Sequence, residues 1–580
     1  MRRDALAHWL DGHLGLTAFA VLLAGLLARL WAASGTFLNA DEALHFRIAN
    51  QTSLAAVYRA SLTESHPPLL YWLLHFERGL AASEVWLRLP SVIAGTVFCW
   101  LFFRWLTQVT GRVSGFVGLM LVALLPPIVR LSTEVRQYAL LLAFLAGALY
   151  FLERALAETS CWLMVASALC IYLAMLSHYS ALFFVAGLGV YALLKIFLHR
   201  AVRAVSGKVV AVWATGQSVA LALLLFLYKT HLSHLGQGES RTVMQGWMSE
   251  FYLSRSYFEP GRDNPLLFAI GHSFGVFQFV FGQLAVGDVA GLMFLVAAFL
   301  LWRGQGETKA VTRPLAMFLL LLFALACAAS LAHVYPYGGT RHTAYLVIPA
   351  VAGVSVAVAR LTAERWTRAV GVGLIILVIC VIFGQQHQPY MTRTDQSRSQ
   401  MNSAMAFLQE NVAPRGVIFT DFESSLILGH YLCEQKPVVV QPASSRFEAF
   451  SCSGYRVVSA DRRTATYFFP EIFFKLWKPF VEMYAVKAGD PVWIFQAGWG
   501  VDLPERLRAQ SAAFRDLPFH AFGNNIKIFK LTTGRDLANT ASASSSGTMV
   551  AARSMWGQPP PAVRRSEAPQ FFAHATLMMD

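Results

Sequence analysis

Apolar runs long enough to cross a bilayer recur along this 580-residue chain down to about residue 385. They lie near 14–33, 86–106, 113–130, 137–152, 161–177, 180–198, 209–228, 285–302, 314–333, 343–360 and 369–385. A spanning helix needs about 20 predominantly apolar residues, so the chain is expected to be an α-helical polytopic membrane protein. Charged residues make up 14% of it, against about 25% in soluble domains.

The net charge of +14 does not point to nucleic acid. Much of the Lys and Arg lies in short loops between spans: Arg104 and Arg112, then Arg154, then Arg200, Arg203 and Lys208. Arg303, Lys309 and Arg313 follow, and then Arg360, Arg365 and Arg368. The positive-inside rule puts these loops and the N-terminus in the cytoplasm and the C-terminal part outside. A nucleic-acid surface would gather its cations on one soluble face. The first span is long for the apolar region of a signal peptide and lacks a clear small-residue cleavage site, so it reads as a retained anchor. The stretch 266–284 is apolar enough to span, but a crossing there would turn the later basic loops outward. It therefore reads as a helix on the outer surface or re-entering the membrane. In all, about 11–13 transmembrane helices are expected.

From about residue 390 helical stretches alternate with short apolar runs at Val417–Thr420, Val438–Gln441, Tyr455–Ser459, Val492–Gln496 and Ile526–Leu531. This alternation predicts a small extracytoplasmic α/β domain over 386–535, following a membrane domain over 1–385. It holds no Gly-rich phosphate loop. The Ala/Ser/Pro-rich segment 536–580 reads as a disordered tail. Cys433 and Cys452 are placed to pair if their compartment is oxidising. The other five cysteines sit in apolar spans and read as small buried hydrophobes. No Cys/His metal spacing is present.

Several polar clusters share the outer face on this topology. The first outer loop carries Asn39-Ala40-Asp41-Glu42-Ala43-Leu44-His45-Phe46 and then His66-Pro67-Pro68-Leu69. A second long loop spans about 229–265. Shorter outer turns carry Glu134-Val135-Arg136-Gln137-Tyr138, His178-Tyr179 and Tyr337-Gly338-Gly339-Thr340-Arg341-His342. Carboxylates beside a bilayer are costly and usually have a job there. A carboxylate is also what takes a proton from a hydroxyl nucleophile, and Asp41 is the candidate. Asn39 and Glu42 fit a capping box, which accounts for Glu42 but leaves Asp41 on the exposed first turn. His45, one turn on, either orients that carboxylate or packs at the interface. His66 is either part of a stiff helix entry or a contact to phosphate or sugar. Arg136 either pairs with its neighbour Glu134 or, like Arg341 beyond its Gly-Gly turn, grips a phosphate in two contacts. Arg29, near the outer end of the first span, is expected to snorkel to the interface. His178, Tyr179, Tyr337 and His342 are further substrate-binding candidates, as is Tyr138.

Taken together, these residues resemble the polyprenyl-phosphate-dependent glycosyltransferases of the GT-C fold, above all the protein O-mannosyltransferase and aminoarabinose lipid A transferase superfamily. Asp41-Glu42-Ala43-Leu44-His45-Phe46 looks like the Asp-Glu-x-His-Phe signature of O-mannosyltransferases, with one residue more before the His. His66-Pro67-Pro68-Leu69, Leu87-Arg88-Leu89-Pro90-Ser91 and Glu134-x-Arg136-x-Tyr138 also resemble familial segments. The resemblance covers most of 1–385. It implies a helical bundle with its active site at the outer face, a sugar donor carried on polyprenyl phosphate, and Asp41 as base. Glu42 shares the motif, and its role stays open.

The expected function is inverting sugar transfer to a hydroxyl of a protein, lipid or polysaccharide acceptor at the extracytoplasmic face of a bacterial cytoplasmic membrane. Arg136, Arg341 and His66 would balance charge on the departing phosphate. No nucleotide, metal or other cofactor is expected, since Asp41 with Glu42 is a thin ligand set. A carrier of lipid-linked sugars is the alternative, although internal repeats and broken mid-membrane helices are missing. A structural subunit of an envelope complex would use the acidic pair only as a cap.

Overall fold

The computed structural model describes residues 12–62, 64–80, 83–200, 206–233, 253, 255–304, 309–384, 396–414, 416–433, 441–442, 446–462, 464–484, 486, 489–498, 501–510 and 514–532. The expected disordered tail, most of the second outer loop and most of the apolar run Val438–Gln441 lie outside these residues. The chain divides into two compact units. The larger comprises Met1–Tyr467, Trp493–Val501 and His520–Ile528, and the smaller comprises Phe468–Val492, Asp502–Phe519 and Phe529–Asp580.

The larger unit opens with α1 (Leu14–Ser34), followed by three short helices of the first outer loop: α2 (Ala40–Ala49), α3 (Leu54–Ser61) and α4 (Leu69–Glu77). Then come α5 (Glu84–Thr110), α6 (Arg112–Leu124), α7 (Pro126–Leu131), α8 (Tyr138–Glu158), α9 (Cys161–Ser177), α10 (Ala181–Arg200) and α11 (Gly207–Leu227). The bundle finishes with α12 (Pro265–Phe281), α13 (Leu284–Arg303), α14 (Lys309–Leu331), a 3-10 turn at Arg341–Leu346, α15 (Val347–Leu361) and α16 (Trp366–Ile382). Among the described residues, seven helices are long and apolar enough to cross a membrane, and five shorter apolar helices accompany them. α8 and α15 are buried nearly all round and form the centre of the bundle, whereas α1 and α11 leave most of their apolar side chains outward. A helix apolar on every face is what lipid on one side and protein on the other select.

The stretch expected to span continuously over 113–130 is broken. Leu125 turns extended (ψ 124°) before Pro126-Pro127, because proline disfavours the helical conformation in the residue before it. Two prolines in sequence also remove the N–H groups that would have paired with the carbonyls of Val122 and Ala123. Arg29 supplies the missing donors: its guanidinium reaches Ala123 O at 2.8 Å, Val122 O at 3.1 Å and Gly25 O at 3.0 Å. This corrects the expectation that Arg29 snorkels. It is fully buried, and it replaces hydrogen bonds that the prolines delete in a setting where water cannot. Gly25 makes the approach possible, since a Cβ there would lie 3.0 Å from the Ala123 side chain.

α12 starts at Asn264, whose side chain accepts from the N–H groups of Leu266 and Leu267, and ends at Gly282 with φ +69°. At 17 residues it is shorter than a typical span. Its inner face joins the common apolar core, where Phe277 stacks with Phe323 of α14 and meets Phe294 of α13 at 5.3 Å.

The same unit continues with α17 (Arg398–Asn411), β1 (Val417–Thr420), α18 (Phe422–Leu432), β2 (Gln441–Pro442), β3 (Phe447–Cys452) and β4 (Tyr455–Ala460). Together with β5 (Pro491–Ala497), β6 (Phe519–Ala521) and β7 (Ile526–Thr532) these strands form one sheet in the order β2-β3-β4-β1-β5-β7-β6. β1 is parallel to β4 on one side and to β5 on the other, with Thr420 opposite Ser459 and Phe419 opposite Ile494. β3 and β4 form an antiparallel hairpin that the sequence pattern missed, since β3 buries Phe447 and Phe450 at an odd spacing.

The apolar core beneath this sheet is not made by the C-terminal residues alone. Phe37, Ala40 and Ala43 of the first outer loop pack with Met401, Ala404, Leu408, Phe422 and Leu426. Thr36 bridges to Ser397, and Phe37 N–H donates to Gln396 O at 2.9 Å. The smaller unit is built on α19 (Pro470–Met483) and α20 (Leu503–Gln510), with Phe473, Leu476, Trp477 and Phe480 as its apolar ridge.

Cys433 and Cys452 form a disulfide that ties the end of α18 to the end of β3, while the other five cysteines are free. Alkylation of the unfolded, unreduced chain is therefore expected to label five of the seven cysteines, and all seven after reduction. Full labelling without reductant would show that the bond is not made.

Candidate active site

The site is built on the N-terminus of α2. Asn39 caps it: its side chain accepts from Glu42 N–H at 2.9 Å, and Glu42 in turn accepts from Asn39 N–H at 3.0 Å. This is the expected capping box, but Glu42 does far more than close it. Its two oxygens accept from Arg88 at 2.8 and 2.7 Å and from Val135 N–H at 2.8 Å. Arg88, in the second turn of α5, spends its other donors on the carbonyls of Ala33, Thr36 and Phe37 and on the Thr36 hydroxyl. These are carbonyls at and just past the end of α1, left without helical partners. Both side chains are about 1% exposed. One saturated buried pair thus fixes the end of α1, the start of α2 and the turn before α8. The sequence offered a signal for Arg88, a charge inside an apolar run, but gave it no role.

With Glu42 occupied in this way, Asp41 projects from the first turn of α2 into a gap between two arginines. Arg136, from the turn that Glu42 holds at Val135, forms an ion pair with the Asp41 carboxylate. Arg341, at the mouth of α15, reaches the same Oδ2 at 3.0 Å. Arg136 was expected either to pair with Glu134 or to grip a phosphate; the structure gives it an ion pair with Asp41. The Asp41 side chain is 21% exposed, the two arginines less so. The turn carrying Arg341 comes close because Gly338 has φ +130° and Gly339 has no side chain; a Cβ there would meet Gly275 O at 2.5 Å.

Beside this triad lies a row of rings. His45 stacks on His66 with centroids 5.6 Å apart, and His66 on His178 at 5.5 Å. Tyr71 covers the other side of His45 at 5.3 Å, and Tyr138 lies against His178 at 5.2 Å. His45 Nδ1 donates to Asp41 O at 2.5 Å, which fixes its ring on the first turn of α2. His178 Nδ1 accepts from Ser180 N–H at 3.1 Å. Burial lowers His45 to about 4 and His178 to about 3, and takes His66 well below its ordinary value, aided by the neighbouring His178. All three rings are therefore neutral at neutral pH. Burial likewise raises the Glu134 carboxyl, against the opposing charge of Arg341.

The remaining candidates lie around this centre in other roles. Tyr337 is fully buried under its turn, with its hydroxyl 2.6 Å from Ser273 and its N–H donating to Ser256 O. Tyr179 is buried next to His178 with its hydroxyl unpartnered. His342 follows Arg341, and its carbonyl accepts from Tyr335 at 3.2 Å.

Two expectations follow. Cutting a buried ion pair on one side leaves an unpaired charge, at a cost of about 3–5 kcal/mol. Glu42→Gln and Arg88→Met should each lower the thermal midpoint of the purified protein strongly, and the double variant should lose clearly less than the two combined. Additive losses would show that the pair is not coupled. The histidines bind protons less readily in the folded chain than in the unfolded one. Their contribution is thus complete above about pH 6.5 and lost as pH falls toward 4. The thermal midpoint should fall across that window, and His45→Gln should flatten the slope; an unchanged slope would contradict the burial of these rings.

Residues 65–234 match the model of the family described as dolichyl-phosphate-mannose-protein mannosyltransferase. That stretch carries His66, Arg88, Arg136, Tyr138, His178 and Tyr179, while Asp41 and Arg341 lie outside it. Among solved structures, ArnT from Cupriavidus metallidurans bound to undecaprenyl phosphate is similar at 13% identity and a TM-score of 0.49, over 90% of this chain and 98% of that one. The Archaeoglobus fulgidus oligosaccharyltransferase in complex with Zn and sulfate is similar at 12% identity and a TM-score of 0.43, over 71% of this chain and 60% of that one. The oligosaccharyltransferase AglB of the same organism, in complex with an inhibitory peptide and a dolichol-phosphate, is similar at 11% identity and a TM-score of 0.41, over 73% and 63%. No curated protein matches the sequence. The family match thus covers less than a third of the chain and shows a likeness to that family over this stretch of membrane helices and connecting turns.

Proposed function

We propose that the chain transfers a sugar from a polyprenyl-phosphate donor to a hydroxyl acceptor at the extracytoplasmic face, with inversion and with Asp41 as base. The observation that carries this reading is the carboxylate of Asp41 held between Arg136 and Arg341. Two guanidinium groups facing one carboxylate at the membrane edge form a site for a phosphate, which both can grip in a planar, two-point contact. The family match supports a donor of the polyprenyl-phospho-sugar class.

In this reading the donor phosphate competes with Asp41 for the two arginines. The carboxylate is released toward the acceptor hydroxyl and takes its proton as the oxygen attacks the anomeric carbon. The bond from that carbon to the phosphate oxygen breaks, and Arg136 and Arg341 balance the charge that gathers on the leaving phosphate. The neutral His66 ring donates one hydrogen bond without adding charge. Glu42 holds Asp41 and Arg136 in register and does not touch substrate. The compartment is the outer side of a bacterial cytoplasmic membrane. The Cys433–Cys452 disulfide supports an oxidising setting for the α/β part, and the basic inner loops support the same orientation.

Asp41→Asn should reduce transfer by about 10²–10⁴-fold, the usual worth of a positioned base. The check is mass spectrometry of membrane lipids and glycans from cells with matched amounts of wild-type and variant protein. One polyprenyl-phospho-sugar should accumulate in the variant while its glycan product disappears. Lipids and glycans both unchanged would remove Asp41 from the base role.

A further inference from the structure

The outer sheet holds a second polar mouth that the donor reaction does not use. Among its parallel strands β1 lies between β4 and β5; the chain leaves β1 toward β4 and leaves β5 toward β7, so the neighbours β1 and β5 lead in opposite directions. In open α/β sheets such a switch point opens a crevice at the carboxyl ends of the strands, and that is where ligands bind. Here those ends carry Asp421 and Glu423 after β1, Arg462 after β4 and Gln496 at the end of β5.

The polar groups at these ends are buried and only partly satisfied. Gln496 is 1% exposed; its Nε2 lies 3.4 Å from Asp421 Oδ2, and its Oε1 is buried without a hydrogen-bond partner. Glu423 Oε2 is likewise buried and unpartnered. Most buried polar atoms in native structures have a partner, so these two atoms leave hydrogen-bonding capacity that a ligand or water can fill. Burial pushes the Glu423 carboxyl up to about 7, against the opposing charges of Arg462 and Arg136. Arg462 pairs with Glu64 at 2.8 Å and lies over the ring of Phe422, which shares an apolar core with Ala40 and Ala43 on either side of Asp41. The crevice therefore adjoins the Asp41 centre.

We propose that the carboxyl ends of β1, β4 and β5 form the acceptor subsite, that Glu423 and Gln496 are its hydrogen-bonding groups, and that the acceptor is a saccharide. This deepens, and rests on, the transferase reading above. A carboxyl group and a primary amide at the ends of neighbouring strands accept from and donate to hydroxyls, the pattern a sugar ring presents. An extended peptide would instead need an open strand edge for its backbone. At this mouth β1 is paired on both sides, and the edges of the sheet are β2 and β6.

The test uses the full chain in lipid nanodiscs. Undecaprenyl phosphate serves as donor-site probe, read by native mass spectrometry. A panel of methyl hexosides and pentosides and a Ser/Thr-containing hexapeptide serve as acceptor probes, read by saturation-transfer NMR. Wild-type protein should bind at least one methyl glycoside. Glu423→Gln and Gln496→Leu should each weaken that binding at least tenfold while undecaprenyl phosphate binding and the thermal midpoint stay unchanged. Arg462→Lys serves as a third variant that keeps the charge should either of the others unfold. No glycoside bound by the wild type, glycoside binding untouched by the variants, or a peptide displaced by them instead would each overturn the subsite. Failure of the wild type to bind undecaprenyl phosphate would overturn the donor reading separately.

Discussion

The arrangement around Asp41 depends on the Glu42–Arg88 pair. An ion pair buried this deeply adds little to stability by itself, because the desolvation of both charges offsets most of their attraction. What it contributes is position. The five N–H donors of Arg88 and the two oxygens of Glu42 all find partners, and those partners belong to three stretches of backbone that no regular element joins. Only one geometry satisfies all of them at once. In that geometry the residue before Glu42 and the residue after Val135, Asp41 and Arg136, face each other.

The same device recurs deeper in the bundle. Arg29 satisfies the two carbonyls that Pro126 and Pro127 leave without donors, as Arg88 satisfies those at the end of α1. In both cases a guanidinium stands where water would stand in a soluble protein. Irregular backbone inside a membrane protein survives only where protein groups satisfy it, and these breaks let short outer segments approach the bundle. The charges that make the sequence look anomalous for a membrane span are thus the ones that hold its interruptions.

Much of this was legible from the chain alone. Apolar run lengths marked the membrane helices, and loop charge placed Asp41, Arg136 and Arg341 on one face. The capping box around Asn39 and Glu42 was readable because it is local. What escaped was long-range. Arg88 meets Glu42 across 46 positions, and Leu38 N–H meets the Tyr431 hydroxyl across 393. Such pairings leave no periodicity. Arg29 read as a snorkelling residue because the proline break that it repairs lies 94 positions away. β3 was missed because its apolar positions do not alternate.

The shared core beneath the outer sheet has a consequence for biosynthesis. Phe37, Ala40 and Ala43 leave the membrane early in translation, yet their cover is supplied by Met401, Leu408 and Phe422. Until some 360 further residues have been made, the helix that carries Asp41 has an uncovered apolar side. The Asp41 carboxylate is therefore among the last features of the molecule to be set in place. A nascent or truncated chain that ends before Met401 lacks this cover for the helix that carries Asp41.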